Sequence, residues 1–456
     1  MRIVGGENVF RTELEAHSKE EVRLFVEKHR SDILPKLKYL KDYYKGEHEI
    51  LNKTIDDPSK PNNKLVNNYS KYITDMNVGY FVGVPISYTN TDDKLMKALD
   101  EINDYNDEQL VNLEIAKEAS IAGLAYEVLY SDKDSKPRFK KLDAKNTFVV
   151  RDNTLEDNIV YGVYYRVTKD AKHTEIIYAD VYETNKIYHY SIKAGNITLD
   201  DEEEHFFGDV PINPYFNNEE HMGDFATVIS LIDGYNKTQS NTLDDMDQFT
   251  DAYLMLKDMN GTTSDDVKDM KNNRILLVDE KGDAKWLVKD INDAWVENYK
   301  TRLDEDIHKF SNTPALDSNG AAGSKTTIEI KMKLLGMEQN RVNKERYFKK
   351  SLQRRIEMLV NFLNIKGANY DYLTVKPVFT ANIPQNAVEL AALAKDLVGV
   401  VSDETLLSNL PMVEDVQEEM KRKKQEDAEK EEKFKKLIPI NTNHTNLKGN
   451  KPGNSN

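Results

Sequence analysis

Residues 224–258 read DFATVISLIDGYNKTQSNTLDDMDQFTDAYLMLKD. Val228, Leu231, Ile232, Tyr235, Leu243, Met246, Phe249, Tyr253 and Leu256 recur at three- and four-residue steps, which puts them on one face of a helix running from Asp224 to Asp258. At 1.5 Å per residue such a helix would reach about 50 Å. Gly234 lies inside it at a cost of roughly 1 kcal/mol against alanine, so a bend or break is expected there. Asp244, Asp247 and Asp251 share one face at i, i+3 and i+7, with Asp245 beside them. Grouped carboxylates can exchange protons or hold a divalent ion, but their usual meaning is an exposed acidic face. This one lacks the i,i+4 lysines that surface helices commonly use.

The period changes on both sides of this helix. Downstream, Arg274–Asp279 and Ala284–Lys289 read as a strand pair turning at Glu280-Lys281-Gly282, followed by a helix over Ala294–Phe310. Asn312–Lys325 is a polar loop with Pro314, Gly320 and Gly323. It leads into a long helix, Thr326–Asn364, the one basic island in the chain. Asn386–Leu410 reads as two short helices and Val413–Lys436 as a charged helix, and Asn441–Asn456 has the composition of a disordered tail. Upstream, helices are expected over Lys19–His48, interrupted at Pro35, over Lys64–Phe81 and over Asp92–Leu124. From Leu129 to Leu199 tyrosine and β-branched residues alternate with period two, the mark of an antiparallel sheet. The acidic run Asp200–Glu204 with Pro211 and Pro214 is expected to close that sheet.

Composition narrows the function. The chain has 456 residues, 63 Lys plus Arg against 79 Asp plus Glu, a net charge of −16 and no cysteine, so a disulfide framework, a thiolate nucleophile and a cysteine zinc site are all excluded. The least charged stretch, Asn77–Thr91, carries Gly79, Gly83 and Pro85 and falls short of the roughly twenty apolar residues that span a membrane. Met1–Arg11 lacks the apolar core of a secretory signal. An acidic total argues against wrapping nucleic acid, though not against transient contact with DNA.

Gly320-Ala-Ala-Gly323-Ser-Lys325-Thr326 resembles a phosphate-binding loop only superficially, because its glycines are three apart and Ser324 separates Gly323 from Lys325. No two of the nine histidines sit at the i,i+4 spacing of a helical metal site, and there is no Gly-x-Ser-x-Gly elbow. Neither an enzyme, a metal nor a cofactor is expected.

Four groups of residues together resemble the portal proteins of tailed bacteriophages, of the SPP-one-like type. The first is Asp42-Tyr-Tyr-Lys-Gly-Glu-His48 with Asn67-Asn-Tyr-Ser-Lys-Tyr-Ile73 and Val78-Gly-Tyr-Phe-Val-Gly-Val-Pro-Ile86, and the second is Ser120-Ile-Ala-Gly-Leu-Ala-Tyr-Glu127. The third, the most specific, is Asn217-Asn-Glu-Glu220, Gly223-Asp224, Leu231-Ile-Asp233, Tyr235-Asn236 and Gln239-Ser240. The fourth is Lys331-Met-Lys-Leu-Leu-Gly336 with Lys344–Arg355, echoed by Val401-Ser-Asp-Glu-Thr-Leu-Leu407.

The resemblance implies an α+β portal fold with a mixed wing, a long helical stem, a small clip hairpin and a helical crown. On that plan residues 1–50 are an N-terminal arm, 51–223 the wing, 224–258 the first stem helix, 259–293 the clip and 294–311 the second stem helix. Residues 312–325 are the tunnel loop, 326–385 the long wing helix and a return strand, 386–436 the crown and 437–456 the tail. It implies a homo-oligomeric ring, usually of twelve, at one capsid vertex. Double-stranded DNA enters the ring under the terminase large subunit and later leaves. Capsid, scaffolding and head–tail adaptor proteins are the other partners, no membrane is involved, and the protein resides in the virion after assembly in the host cytoplasm. Asn312, Asp317, Ser318, Asn319, Gly320, Gly323 and Lys325 become the DNA-tunnel loop. Asp244, Asp247 and Asp251 become an acidic channel face, and Met246, Phe249 and Tyr253 the subunit-facing stem. Two other readings compete: a nucleotide-using enzyme with its site at Gly320–Thr326, tested by ATP turnover, and a monomeric helical adaptor, tested by light scattering.

Overall fold

Ser18 opens the first helix, α1 (Lys19–Lys28), by accepting the Glu21 amide on its hydroxyl. A π-helical turn, His29–Ile33, then joins α1 to α2 (Leu34–Lys45). Pro35 accounts for the wide turn, because it brings no N–H to the ladder and its ring clashes with the carbonyl four residues earlier. The computed structural model describes residues 10–58, 60–248, 253–257, 263–265, 268, 283–287, 293–315, 331–382, 395–408, 413 and 416–437. It divides into two units, Met1–Ile383 and Pro384–Asn456.

In the first unit, β1 (Phe10–Thr12) lies ahead of α1, and α3 (Tyr69–Val82), β2 (Ser87–Thr89), α4 (Asp93–Tyr105) and α5 (Glu108–Ala122) follow α2. The single helix expected over Asp92–Leu124 is thus two. Asn106 makes the break: its buried amide donates to Ile102 O and Pro137 O and its oxygen accepts the Phe139 amide, while Asp107 turns left-handed at φ 49°.

The strands are β3 (Leu124–Ser131), β4 (Pro137–Leu142), β5 (Thr147–Asp152), β6 (Ile159–Lys169), β7 (Glu175–Tyr182), β8 (Lys186–Lys193), β9 (Asn196–Glu204) and β10 (Ile212–Phe216). They form a six-stranded sheet, β1-β5-β6-β7-β8-β9, and a three-stranded sheet, β10-β3-β4. All pairs are antiparallel except β1 with β5. Asp200–Glu204 does not close the sheet as expected. It continues β9 along the edge, where charged side chains face water and discourage pairing with another chain. Val22, Val26 and Leu37 pack with Tyr161, Val163, Ile177 and Val181 to form the core between sheet and helices.

The remaining elements of this unit are α6 (Ile229–Gln248), β11 (Tyr253–Lys257), β12 (Asp283–Leu287), α7 (Asp293–Phe310), α8 (Leu335–Ile365) and β13 (Lys376–Val378). The helix expected over Asp224–Asp258 therefore stops earlier. A 3-10 turn, Ala226–Val228, precedes it, and Tyr253–Lys257 pairs in register with Asp283–Leu287. A run as short as Tyr-Leu-Met-Leu fits either period, and here the cross-strand partner decides. The expected partner, Arg274–Asp279, and residues 326–330 of the long helix lie outside the described residues. The second unit holds α9 (Asp403–Ser408) and α10 (Val416–Leu437), with Lys423 reaching Asp403 at 2.9 Å. The tail, 441–456, lies outside the described residues.

Candidate functional site

Two glycines in the sequence motifs meet at the head of α6. Gly123 has φ +83°, and a Cβ there would lie 2.0 Å from His221 O; a Cβ on Gly223 would lie 2.3 Å from Ile121 O. Only glycine allows the two backbones this approach, and it lets Asp224 N bond Ser120 O at 2.8 Å. Asp224 also receives the buried Lys344 ammonium of α8 (2.5 Å), which reaches Ser120 Oγ as well (2.8 Å). One ion pair thus ties the start of α6 to the basic helix.

Below that point Ile229 and Ile232 enter an apolar cluster with Leu40, Tyr43, Ile73 and, from α7, Ile307. Helix α7 runs back along α6, with Leu303 beside Gly234. Tyr69 of α3 donates to Asp304 of α7 at 2.5 Å. No break occurs at Gly234, through which the helix continues.

The acidic face has an intrachain partner. Asp244 accepts the Lys53 ammonium (2.5 Å) together with the amide N–H (2.6 Å) and side-chain amide (2.9 Å) of Asn63, while Asn63 also donates to Asp247 (2.8 Å). Burial acts to raise the pKa of Asp244, but the Lys53 ammonium and the Asn63 donors outweigh it, so the carboxyl sits below its usual range. Met246 lies on the open side, 58% exposed. Tyr253 is on a strand and not on the helix, and its backbone pairs with Leu287. Phe249 and Asp251 lie outside the described residues.

At its far end α7 closes on a left-handed asparagine, Asn312 (φ 54°), and Thr313 N returns to His308 O at 3.1 Å, a Schellman-type stop followed by Pro314. Two elements grip this stop. Asn77 of α3 donates to Thr313 Oγ1 (2.9 Å), Tyr72 of α3 to Pro314 O (3.0 Å), and Asn312 to Asn340 Oδ1 of α8 (3.2 Å). The His308 ring donates to Thr313 O at 2.8 Å. Ser311 and Thr313 are buried, so the base of the loop is anchored on these two side chains. Asp317, Ser318, Asn319, Gly320, Gly323 and Lys325 lie outside the described residues.

Sequence reading missed Lys53, Asn63 and Asn77 as partners of this region. A signal for the first two was present: Asn236, Ser240 and Asp244, four apart, put a polar stripe beside the apolar seam. Among the described residues no group of three or more His, Asp or Glu is placed to hold a metal ion, and no helix is long and apolar enough to cross a membrane.

Residues 24–433 match the family model described as phage portal protein, SPP1 Gp6-like. The chain is 24% identical over 404 residues to the portal protein of Bacillus phage SPP1, spanning 83% of this chain and 79% of that one. It is 21% identical over 427 residues to the portal protein of Clostridium phage phiCD119, spanning 83% and 89%. Among solved structures, the neck of an empty GTA particle with C6 symmetry aligns over 76% of this chain and 90% of its own, at 11% identity and a TM-score of 0.48.

Proposed function

This chain belongs to the SPP1 Gp6-like family of phage portal proteins, and we propose from that premise how its parts serve a ring through which phage DNA passes. The family match over residues 24–433 is the observation that carries the reading. A portal protein is a structural component of the virion. In the proposed assignment α6 and α7 are the stem, the β11–β12 hairpin belongs to the clip, α8 is the long wing helix and α9 with α10 belong to the crown. The ring has about twelve copies, docks the terminase during packaging and a head–tail adaptor afterwards, and performs no catalysis of its own.

The charge pattern supports a conduit. Each phosphate neutralised by a protein cation steepens the salt dependence of DNA binding by about 0.9 log units per decade, and a wall that neutralised many would hold the duplex still. We assign the repelling face to Asp244, Asp247 and Asp251, within which Lys53 of the same chain meets the Asp244 charge. The loop from Asn312 to Lys325 is the DNA contact. Lys325 is its only basic residue and Asp317 its only acidic one, so it can follow the duplex without gripping it. The packed stop at Ser311–Pro314 gives that loop a fixed root.

Negative-stain images of the purified protein test the ring directly; particles of single-subunit mass would favour the adaptor reading. Deleting residues 318–323 should leave rings intact and impair packaging into procapsids. Normal packaging by that variant would remove the loop from the mechanism.

A further inference from the structure

The hold on α6 changes character within one turn. Up to Tyr235 its inward residues are mainly apolar, with Ile229 and Ile232 buried in the cluster with Ile73 and Ile307 and Asp233 accepting the Tyr43 hydroxyl at 2.7 Å. From Asn236 they are polar. Asn236 Oδ1, Ser240 Oγ and Asp244 Oδ1 accept the backbone amides of Asn67 (2.7 Å), Leu65 (2.9 Å) and Asn63 (2.6 Å) in turn. A helix rises about 6 Å in four residues and an extended chain about 6.6 Å in two, so the two repeats keep step over three rungs. Lys53 closes the ladder on Asn241 (2.9 Å) and Asp244. Asn236 and Ser240 are fully buried under this segment, and Met246 on the opposite side is exposed.

The helix is weakest where the hold changes. A Cβ on Gly234 would meet nothing closer than Leu303 Cδ2 at 3.9 Å, so packing does not require glycine there. What glycine contributes is low helix propensity. Thr238 Oγ1 donates to Gly234 O (2.9 Å) and Thr242 Oγ1 to Thr238 O (2.8 Å), contacts that compete for the helix's own acceptors and favour bending. Apolar burial above and a ladder made of hydrogen bonds and one ion pair below make the lower half the easier one to release.

We propose that α6 is a two-segment helix hinged at Gly234–Thr238, and that residues 63–67 are a releasable strap setting the position of its lower segment, with Asn236, Ser240 and Asp244 as positioning residues. The role in the channel rests on the stem assignment above; the hinge and strap rest on the contacts alone. Because Met246 and Asp247 ride on the lower segment, movement there would alter the stem surface while the wing core stays packed.

Hydrogen–deuterium exchange of the full-length protein, read by peptide, tests this. The stretch 237–248 should exchange at least tenfold faster than 226–235. Ser240→Ala and Asp244→Leu should raise exchange in 237–248 a further several-fold with 226–235 unchanged. Asp244→Asn, which keeps the acceptor for Asn63 and loses the charge on Lys53, should fall between them and wild type. Gly234→Ala, for which there is room, should slow 237–248 several-fold, and rings of that variant should package DNA more slowly. Equal protection along α6, or ladder variants that leave 237–248 unchanged, would overturn the hinge and strap. Wild-type packaging by Gly234→Ala rings would overturn its use in the channel. Failure of the portal reading itself would show separately, as absence of rings.

Discussion

Replacing Arg355 with methionine should cost about 4 kcal/mol at pH 7, close to the 3–5 kcal/mol typical of breaking a buried ion pair. Arg355 lies on α8 and is 1% exposed. Its guanidinium meets both oxygens of Glu127 (3.0 and 2.6 Å), Glu108 (3.3 Å) and Asn112 (2.8 Å), against the Phe139 ring at 4.5 Å. Tyr215 and Tyr88 donate to the same two carboxylates, at 2.9 and 2.5 Å. Methionine would occupy much of the volume and leave both carboxylates buried without a cation. Urea unfolding followed by far-UV circular dichroism, at pH 7 and one low protein concentration, measures the loss. Adding Glu127→Gln and Glu108→Gln removes the two uncompensated buried charges and should recover most of it. A deficit below about 1 kcal/mol, or one that the two glutamine substitutions leave unchanged, would refute the reasoning.

Met246→Asp should leave the unfolding midpoint of the unassembled chain nearly unchanged, because Met246 is exposed, yet yield monomers or misassembled rings by mass photometry; unchanged rings would remove it from the proposed subunit contact. His29 is buried beside Phe148 and Tyr165, and burial lowers its pKa from 6.5 to about 4 against a weaker raising effect from Ala144. The unfolded chain protonates first, so the native state should lose about 3 kcal/mol as pH falls from 6.5 towards 4. His29→Phe should flatten that part of the stability–pH curve, and an unchanged slope would count against a neutral buried histidine. Deleting residues 441–456 should leave ring formation intact, as native mass measurements would show.

What the sequence determined by itself was what local patterning encodes. The interruption at Pro35, the tyrosine-rich antiparallel strands, the two helices bracketing a strand segment and the long helix that carries Arg355 are all legible as periodicity and punctuation. The family resemblance came from the same source, through motifs in which Gly123 and Gly223 prove to be close backbone contacts. Only the tertiary structure decided which partner each side chain has. Asp244 reads as one acid on a solvated face until Lys53, 191 residues earlier, is found beside it. Arg355 is one of several basic residues on α8 until Glu108 and Glu127 enclose it. Tyr253–Lys257 fits a helical seam until Asp283–Leu287 supplies a strand to pair with. Periodicity reports which face of an element leaves water. It carries no information about what covers that face, because the choice among partners depends on contacts between residues far apart in the chain.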